Sequence, residues 1–312
     1  MEGIELYNID RLFESVTERG HVCVGIDTAA EYVPPGERLH YHSDAEAVLN
    51  FNRAIIDSTF DIVACYKVQI AYYEEMGIAG LGCYAKTLQH IREKGGIAIA
   101  DIKRGDIADT ALRYAKAHFE GDFEADFVTL SPYMGMDSIE PWLAYADSKG
   151  KGAFVLMRTS NKGMRDFEYL ETGNREKSVK RVYHAVGDKM AELAGSYLGK
   201  CGYGAFGTVV GCTERDEAAE IRKIYSNLFF LIPGYGAQGG AADDAALLLR
   251  EGNGGVVNAS RSILRAWNED FAHTGGDKSA VTNAFAAESS RKAAIAMRDA
   301  ILEAVKTSNK NE

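Results

Sequence analysis

The feature that most restricts the fold of this chain is a regular alternation of short apolar segments with longer amphipathic ones. Eight short segments are rich in β-branched or aromatic residues and almost continuously apolar, namely 22–27, 62–68, 97–103, 125–130, 153–158, 206–211, 228–232 and 255–259. Strands of that composition are typical of a parallel sheet covered on both faces. A helical pattern follows each of them, at about 44–59, 80–94, 107–119, 137–149, 177–197, 214–225, 240–250 and 261–270.

Eight strand–helix units in strict alternation predict an α/β fold with one closed (β/α)8 barrel, the TIM barrel. The chain has 312 residues, only five prolines and no break in composition. We therefore expect a single domain over residues 1–312, with its barrel core at about 21–270. A doubly wound open sheet is the alternative, but no G-x-G-x-x-G motif follows the first strand.

Three segments lie outside this repeat or interrupt it. The first 20 residues predict a short helix that caps the barrel, and residues at about 279–306 predict an Ala-rich amphipathic helix on its exterior. The polar stretch 159–177 is a long connection after the fifth strand. Loops of that length in compact domains are usually functional lids or mobile additions.

Composition and charge exclude several classes of protein. With 35 basic and 45 acidic side chains the net charge is −10, which argues against a nucleic-acid partner bound through a broad basic face. No apolar run approaches the roughly 20 residues that span a bilayer, and the first 20 residues do not resemble a secretory signal, so we expect a cytoplasmic protein without a membrane partner. Five cysteines without a CxxC pair and seven dispersed histidines predict neither a disulfide framework nor a metal site.

Ionisable residues collect where the predicted strands end, and that edge carries the active site of such barrels. Asp101 and Lys103 are two residues apart on one strand and so project from the same face, with Asp106 three residues further on. Taken alone, this D-x-K-x-x-D pattern also fits an ordinary acid–base pair followed by an aspartate that caps a helix.

Lys67 favours a functional interpretation, because it ends the preceding strand and would neighbour Asp101. Isolated buried charges are too costly to persist, so such groups require a paired network. Alternating lysines and carboxylates hold one another in the charged form. A fixed ammonium could then donate a proton and stabilise a carbanion, while a fixed carboxylate could repel an anionic group of a substrate.

A second polar segment, IPGYGAQGG at 232–240, follows the seventh strand, and Ser260 and Arg261 follow the eighth. Loops at these two positions, together with a helix N-terminus, form the usual phosphate site of these barrels. Arg261 offers a planar fork for phosphate oxygens and Gln238 a neutral donor. A glycine-rich turn with a structural arginine is the alternative.

Together these segments resemble the orotidine 5′-phosphate decarboxylase family, in its longer bacterial-type branch. The matching pieces are GID at 25–27, YKVQ at 66–69, ADIKRGDIADTA at 100–111, DFVTLSPYMG at 126–135, RTSN at 158–161, PGYGAQGG at 233–240 and SR at 260–261. They follow the family order from residue 25 to about 265, so the resemblance covers most of the chain.

The resemblance implies decarboxylation of orotidine 5′-monophosphate to uridine 5′-monophosphate (UMP), the last step of de novo UMP synthesis, without a cofactor or metal. It implies a catalytic array of Lys67, Asp101, Lys103 and Asp106. Lys103 would protonate C6 of the pyrimidine, and Asp101 would orient Lys103 and repel the substrate carboxylate electrostatically. The resemblance also implies a homodimer in which Asp106 and Thr110 are contributed across the interface, with Thr110 contacting the ribose.

The resemblance further implies a set of substrate contacts. Asp27 and Lys67 match ribose contacts, and Gln238 and Arg261 match phosphate ligands. Ser160 matches the residue that reads the pyrimidine edge, with Thr159 and Asn161 as alternatives. The remaining members of the expected binding set are Pro132, Pro233, Gly234 and Ser260, where Ser260 replaces a glycine that many relatives have before the arginine.

Two other functions remain open on the sequence. A Mg²⁺-dependent sugar-phosphate decarboxylase or aldolase of the same superfamily would keep D-x-K-x-x-D, but those relatives carry an acidic residue where Lys67 stands. A lysine at that position repels a divalent cation. A non-catalytic nucleotide-binding barrel is the second alternative, and the complete Lys-Asp-Lys-Asp array argues against it.

Overall fold

The computed structural model describes residues 6–173, 180–236, 239–273 and 276–308. Its strands are β1 (Val22–Gly25), β2 (Cys65–Gln69), β3 (Ala98–Arg104), β4 (Phe127–Leu130), β5 (Gly152–Arg158), β6 (Glu171–Thr172), β7 (Lys180–Arg181), β8 (Phe206–Val210), β9 (Phe230–Ile232) and β10 (Gly255–Ala259). Its helices are α1 (Asn8–Arg19), α2 (Pro35–Arg38), α3 (Asp44–Thr59), α4 (Ala71–Glu74), α5 (Gly77–Glu93), α6 (Ala108–Phe119), α7 (Glu140–Lys149), α8 (Val182–Ser196), α9 (Arg215–Ile224), α10 (Ala242–Ala246), α11 (Arg261–Leu264), α12 (Ala266–Ala272) and α13 (Asn283–Ser308).

Eight of the strands form a closed barrel in the order β1-β10-β9-β8-β5-β4-β3-β2, and every neighbouring pair is parallel. β6 and β7 form a separate antiparallel pair within the connection from β5 to α8. The predicted TIM barrel with its eight strands is confirmed, and the open doubly wound sheet is wrong. Closure of the sheet brings the C-terminal ends of all eight strands to one rim.

Apolar side chains fill the barrel and the layer between strands and helices. Phe127, Phe154 and Phe206 are almost fully buried, and the rings of Phe127 and Phe154 lie 5.3 Å apart, centroid to centroid. Burial on both faces explains why the strands read as continuous apolar runs rather than as alternating ones.

The helix predicted at the N-terminus is α1, and it closes the barrel at the N-terminal ends of the strands. Ser15 Oγ donates to the carbonyl of Ala64, just before β2, and Asn253, just before β10, donates to the carbonyl of Phe13. These contacts confirm the capping role. They also leave the opposite rim open for function.

The predicted C-terminal helix is α13, preceded by a 3-10 turn at Lys278–Ala280. It packs on the outside of the barrel: Ser58 of α3 donates to the carbonyl of Ala287, and Ser290 donates to the carbonyl of Ile263 in α11. The exterior position predicted for this helix is confirmed.

One predicted helix is shorter than expected, and another is divided into two. The pattern at 240–250 yields only α10, because the next amides, of Leu248 and Leu249, bond three residues back in turns rather than four. The pattern at 261–270 is divided at Arg265 into α11 and α12. No helix in the described part of the chain is both long and apolar enough to cross a membrane.

Candidate active site

Four charged side chains meet at the C-terminal ends of β1, β2 and β3. The Nζ of Lys67 lies 2.9 Å from Asp27 Oδ1 and 3.0 Å from Asp101 Oδ2. Asp101 Oδ1 in turn accepts a hydrogen bond of 2.6 Å from the Nζ of Lys103. Negative and positive groups thus alternate without interruption from Asp27 to Lys103.

Burial and pairing together decide the charge state of the central pair. Burial alone would raise the pKa of Asp101, but the ammonium groups of Lys67 and Lys103 outweigh it and hold that pKa well below its usual range. Burial alone would lower the pKa of Lys67, but the carboxylates of Asp101 and Asp27 outweigh it and raise that pKa. Both groups are therefore charged at ordinary pH.

Thr129 on β4 is a site residue that the sequence analysis missed. Its hydroxyl donates to Asp101 Oδ1 at 2.8 Å and accepts from the backbone amides of Ile102 and Lys103 at 3.0 and 2.9 Å. The register of β3 against β4 shifts between Ala100 and Arg104, and Lys103 has a φ of 46°, a conformation rare outside glycine. Thr129 therefore occupies the gap in the ladder and holds the bulge that carries Lys103.

Gln69 is a second residue that the sequence analysis did not assign a role. Its Nε2 donates to Asp101 Oδ2 at 3.0 Å. Besides Lys103, three side chains therefore contact the Asp101 carboxylate, namely Lys67, Gln69 and Thr129. The position of Gln69 two residues after Lys67 on one strand places both on the same face, which was the available signal.

Ser260 orients Asp27 from the other side of the site. Its hydroxyl donates to Asp27 Oδ2 at 2.8 Å, while Lys67 occupies Oδ1. This approach requires a glycine at position 25, because a Cβ on Gly25 would lie 1.9 Å from Ser260 Oγ. The serine that departs from the family pattern thus contacts a carboxylate of the network.

Two adjoining cavities surround the network, and they share Asp27, Pro233 and Asn258. The first, of about 310 Å³, holds most of the predicted catalytic and base-reading residues. Among its lining residues are Asp27, Lys67, Asp101, Lys103, Thr129, Thr159, Ser160, Asn161, Pro233 and Asn258. The second, of about 250 Å³, is lined by Asp27, Tyr32, Tyr72, Pro233, Gly234, Tyr235, Asn258, Ala259, Ser260 and Arg261.

The division of the two cavities matches a substrate with two ends. The first cavity carries the charged network and the start of the β5–α8 connection, and the second carries Arg261 beside the glycine-rich turn after β9. Gly234 in that turn has a φ of 101°, which only glycine adopts readily. A larger cavity of about 450 Å³ lies outside the barrel among α9, α10 and α13, remote from this network.

Three predicted residues do not line either cavity, and one cannot be placed. Pro132 lies beyond β4, and Thr110 is exposed in the first turn of α6. Asp106 makes no ion pair within the described part of the chain, and its Oδ1 accepts from the amide of Ile107, which is itself the N-cap of α6. Asp106 is therefore not the helix cap that was the alternative. Gln238 lies outside the described residues.

The donor set does not suit a divalent metal ion. No group of three or more His, Cys, Asp or Glu side chains within residues 6–173, 180–236, 239–273 and 276–308 is arranged to hold one. The ammonium of Lys67 occupies the space between the carboxylates of Asp27 and Asp101. A cation placed there would meet a positive charge at close range.

Comparisons with known proteins agree on one family. A family model described as Orotidine 5'-phosphate decarboxylase / HUMPS family matches residues 20–274. The curated orotidine 5'-phosphate decarboxylase of Clostridium tetani (strain Massachusetts / E88) is 52% identical over 297 residues, covering 95% of this chain and 98% of that relative. That of Clostridium acetobutylicum is 55% identical over 293 residues, covering 94% and 98%. The solved structure of Leishmania donovani OMP decarboxylase aligns with a TM-score of 0.69 and 30% identity, covering 95% of this chain and 100% of that one.

Proposed function

The chain belongs to the orotidine 5′-phosphate decarboxylase / HUMPS family and is a decarboxylase, a carboxy-lyase. From that premise we propose that it converts orotidine 5′-monophosphate to UMP, the last step of de novo UMP synthesis, with protein groups alone. The unbroken alternation of charge from Asp27 through Lys67 and Asp101 to Lys103 is the observation that carries this proposal.

Loss of CO₂ leaves an electron pair at C6 with little resonance relief, so fixed charge must lower the barrier. Lys103 is the member of the network with a half-exposed side chain in the cavity, and it donates its proton to C6 as the carbon–carbon bond breaks. Asp101, held by Thr129, Gln69 and Lys67, stays ionised; it orients Lys103 and repels the carboxylate that leaves. The product CO₂ removes that repulsion, so the effect favours the transition state over the bound substrate.

The second cavity provides the distant anchor in this mechanism. Arg261 binds the phosphate from the mouth of β10, with Gln238 as the second ligand proposed from the sequence. Asp27 lines both cavities, and Lys67, which is bonded to it, lines the first. The ribose of a nucleotide would pass between the two cavities, and there Asp27 and Lys67 bind its hydroxyl groups. Binding energy at the phosphate holds the pyrimidine against the charged network.

A homodimer supplies Asp106 and Thr110 to the site of the partner subunit in this proposal. Support comes from the exposed apolar side chains around these two residues, of which Ile107, Leu112 and Tyr133 are 42, 43 and 87% exposed. Leu112 lies in α6, and Ile107 and Tyr133 lie on the β3–α6 and β4–α7 connections. These connections adjoin, since the amide of Ser131 donates to the carbonyl of Arg104. Exposed apolar patches of this kind mark association surfaces.

We also place the protein in the cytoplasm. Its five cysteines, Cys23, Cys65, Cys83, Cys201 and Cys212, are all free thiols in the described structure, and four of them are buried. Free buried thiols are usual in a reducing compartment.

The direct test is to add orotidine 5′-monophosphate to the purified protein and follow the ultraviolet absorbance as orotidylate becomes uridylate. Product identified as UMP by chromatography supports the proposal. Unchanged absorbance with a protein that is folded and binds UMP would show a nucleotide-binding barrel without this activity.

A further inference from the structure

The connection that follows β5 contains a hydrogen-bond chain at the mouth of the first cavity. The backbone amide of Thr159 donates to Glu168 Oε2 at 2.8 Å, and the Thr159 hydroxyl lies 2.7 Å from Glu168 Oε1. The same hydroxyl lies 2.7 Å from the side-chain amide of Asn161. Thr159 and Asn161 both line the cavity that holds Lys103.

Glu168 is itself fixed by its backbone. Its amide donates to the carbonyl of Met164 at 2.8 Å, and its carbonyl accepts from the amide of Tyr183 at the start of α8 at 3.0 Å. The side chain is therefore delivered to Thr159 by the fold of the whole connection. Its orientation does not depend on a bound ligand.

The number of available hydrogens decides the direction of donation along this hydrogen-bond chain. A threonine hydroxyl has one hydrogen, so it donates to Glu168 or to Asn161 but not to both. If Glu168 is ionised, Thr159 donates to it, and Asn161 must turn its Nδ2 toward Thr159. The Oδ1 of Asn161 is then left without a partner in the described residues. If Glu168 is neutral and donates to the Thr159 hydroxyl, that hydroxyl donates to the Oδ1 of Asn161. The Nδ2 of Asn161 is then the atom without a partner in the described residues.

The surroundings of Glu168 are half-buried, and the guanidinium of Arg158 on β5 acts on its carboxyl. Burial raises the pKa of Glu168, and the bonds from Thr159 and the charge of Arg158 oppose that shift. The net effect is a pKa raised from its ordinary value, although Arg158 favours the carboxylate.

Resting on the proposed function, we infer that Glu168 is a positioning residue for base specificity. Through Thr159, ionised Glu168 turns Asn161 so that its Oδ1 accepts the N3–H of a uracil-type ring. A cytosine-type ring has an acceptor at N3 and meets that oxygen unfavourably. Ser160, between the two residues of the chain, contacts the same edge of the ring.

The variant Glu168→Gln tests the direction of the chain. The backbone amide of Thr159 requires an oxygen, so the glutamine must place its Nε2 against the Thr159 hydroxyl, which then donates to Asn161. Asn161 then presents Nδ2 to the base, so the preference for a uracil-type ring over a cytosine-type ring is weakened. We expect the ratio of UMP affinity to CMP affinity to fall by about 10-fold or more, as when a polar partner is mismatched. Affinity for ribose 5-phosphate, which has no base, stays at the wild-type value.

Two further variants make the result independent of folding. Glu171→Gln alters an exposed glutamate in the same connection and should leave the UMP-to-CMP ratio unchanged. Asn161→Ala removes an exposed side chain and should lower the ratio without loss of thermal stability. Calorimetric titration with UMP, CMP and ribose 5-phosphate measures all three affinities.

The outcomes separate this inference from the function on which it rests. A wild-type protein that neither binds UMP nor decarboxylates orotidine 5′-monophosphate overturns the proposed function. A wild-type protein that does both, with Glu168→Gln and Asn161→Ala retaining its UMP-to-CMP ratio, overturns the inference alone.

Discussion

Lys103 Nζ lies 2.6 Å from Asp101 Oδ1, yet the two side chains differ sharply in exposure, at 47 and 7%. The carboxylate is buried and bonded by Thr129, Gln69 and Lys67, so its position is fixed whether or not a ligand is bound. The ammonium projects into the cavity and is free to transfer its bond to a substrate. This asymmetry supports the roles proposed for the two residues, orientation for Asp101 and proton donation for Lys103.

Replacing that ammonium should abolish turnover and spare binding. In Lys103→Ala we expect kcat to fall by about 10⁴-fold, since both the proton donor and a positive charge beside C6 are lost. UMP affinity should stay within about 10-fold of wild type, because the phosphate and ribose contacts lie elsewhere. Lys149→Ala, at an exposed lysine of α7, serves as the control. Turnover that survives the Lys103 change would remove this residue from the mechanism.

Thr129→Val replaces the hydroxyl that holds the β3 bulge by a methyl group of the same size. The amides of Ile102 and Lys103 lose their partner and Asp101 Oδ1 loses one of its two donors, so we expect kcat to fall by about 10²-fold through misplacement of Lys103. The free energy of unfolding should fall by about 1–3 kcal/mol. Thr129→Ser keeps the hydroxyl and should restore most of kcat. Equal kcat values in the valine and serine variants would contradict the positioning role.

Donation of Asp106 across a dimer can be tested by mixing inactive variants. Lys103→Ala and Asp106→Ala homodimers each lack a complete site, whereas a mixed dimer has one complete and one doubly defective site. After subunit exchange in equal amounts, about a quarter of wild-type activity should return. Sedimentation velocity establishes the dimer. Mixtures that stay inactive despite demonstrated exchange would show that Asp106 serves its own chain.

Removal of divalent metal should leave activity unchanged. Lys67 stands between two carboxylates, so a cation has no favourable place among them. Dialysis against EDTA followed by assay with and without added Mg²⁺ measures the effect. Activity that disappears with EDTA and returns with Mg²⁺ would favour the metal-dependent sugar-phosphate enzymes.

His118 should make stability depend on pH. Burial, and then the charge of Arg104, lower its pKa from 6.5 to about 4. Between these values the unfolded chain binds a proton that the folded chain excludes, so stability falls as the pH falls. From pH 7 to pH 5 this contributes a loss of about 2 kcal/mol. Urea unfolding at both pH values should show a smaller loss in His118→Phe, which keeps a ring against Phe123. An equal loss in both proteins would assign the effect to other groups.

Most of the fold was predictable because each barrel strand is covered on both faces and is therefore recognisable in the sequence as a local apolar run. The shortened α10 was not predictable, because its periodic pattern continues past the point where the backbone tightens into turns at Leu248 and Leu249. The charged pair of Asp101 and Lys103 was predictable from their spacing on one strand. The role of Thr129 was not, since nothing in a lone threonine of an apolar strand signals a bulge in the neighbouring strand.

The order of strands and helices, the residue types at the strand ends and the membership of a family were determined by the sequence alone, because they depend on local pattern. The tertiary structure decided which of those strand ends touch. Closure of the barrel brought Ser260, just after its last strand, against Asp27, just after its first, 233 positions apart in the chain. It also left Asp106 outside the charged network. Contacts between distant segments depend on how the sheet closes, and no local pattern encodes that geometry.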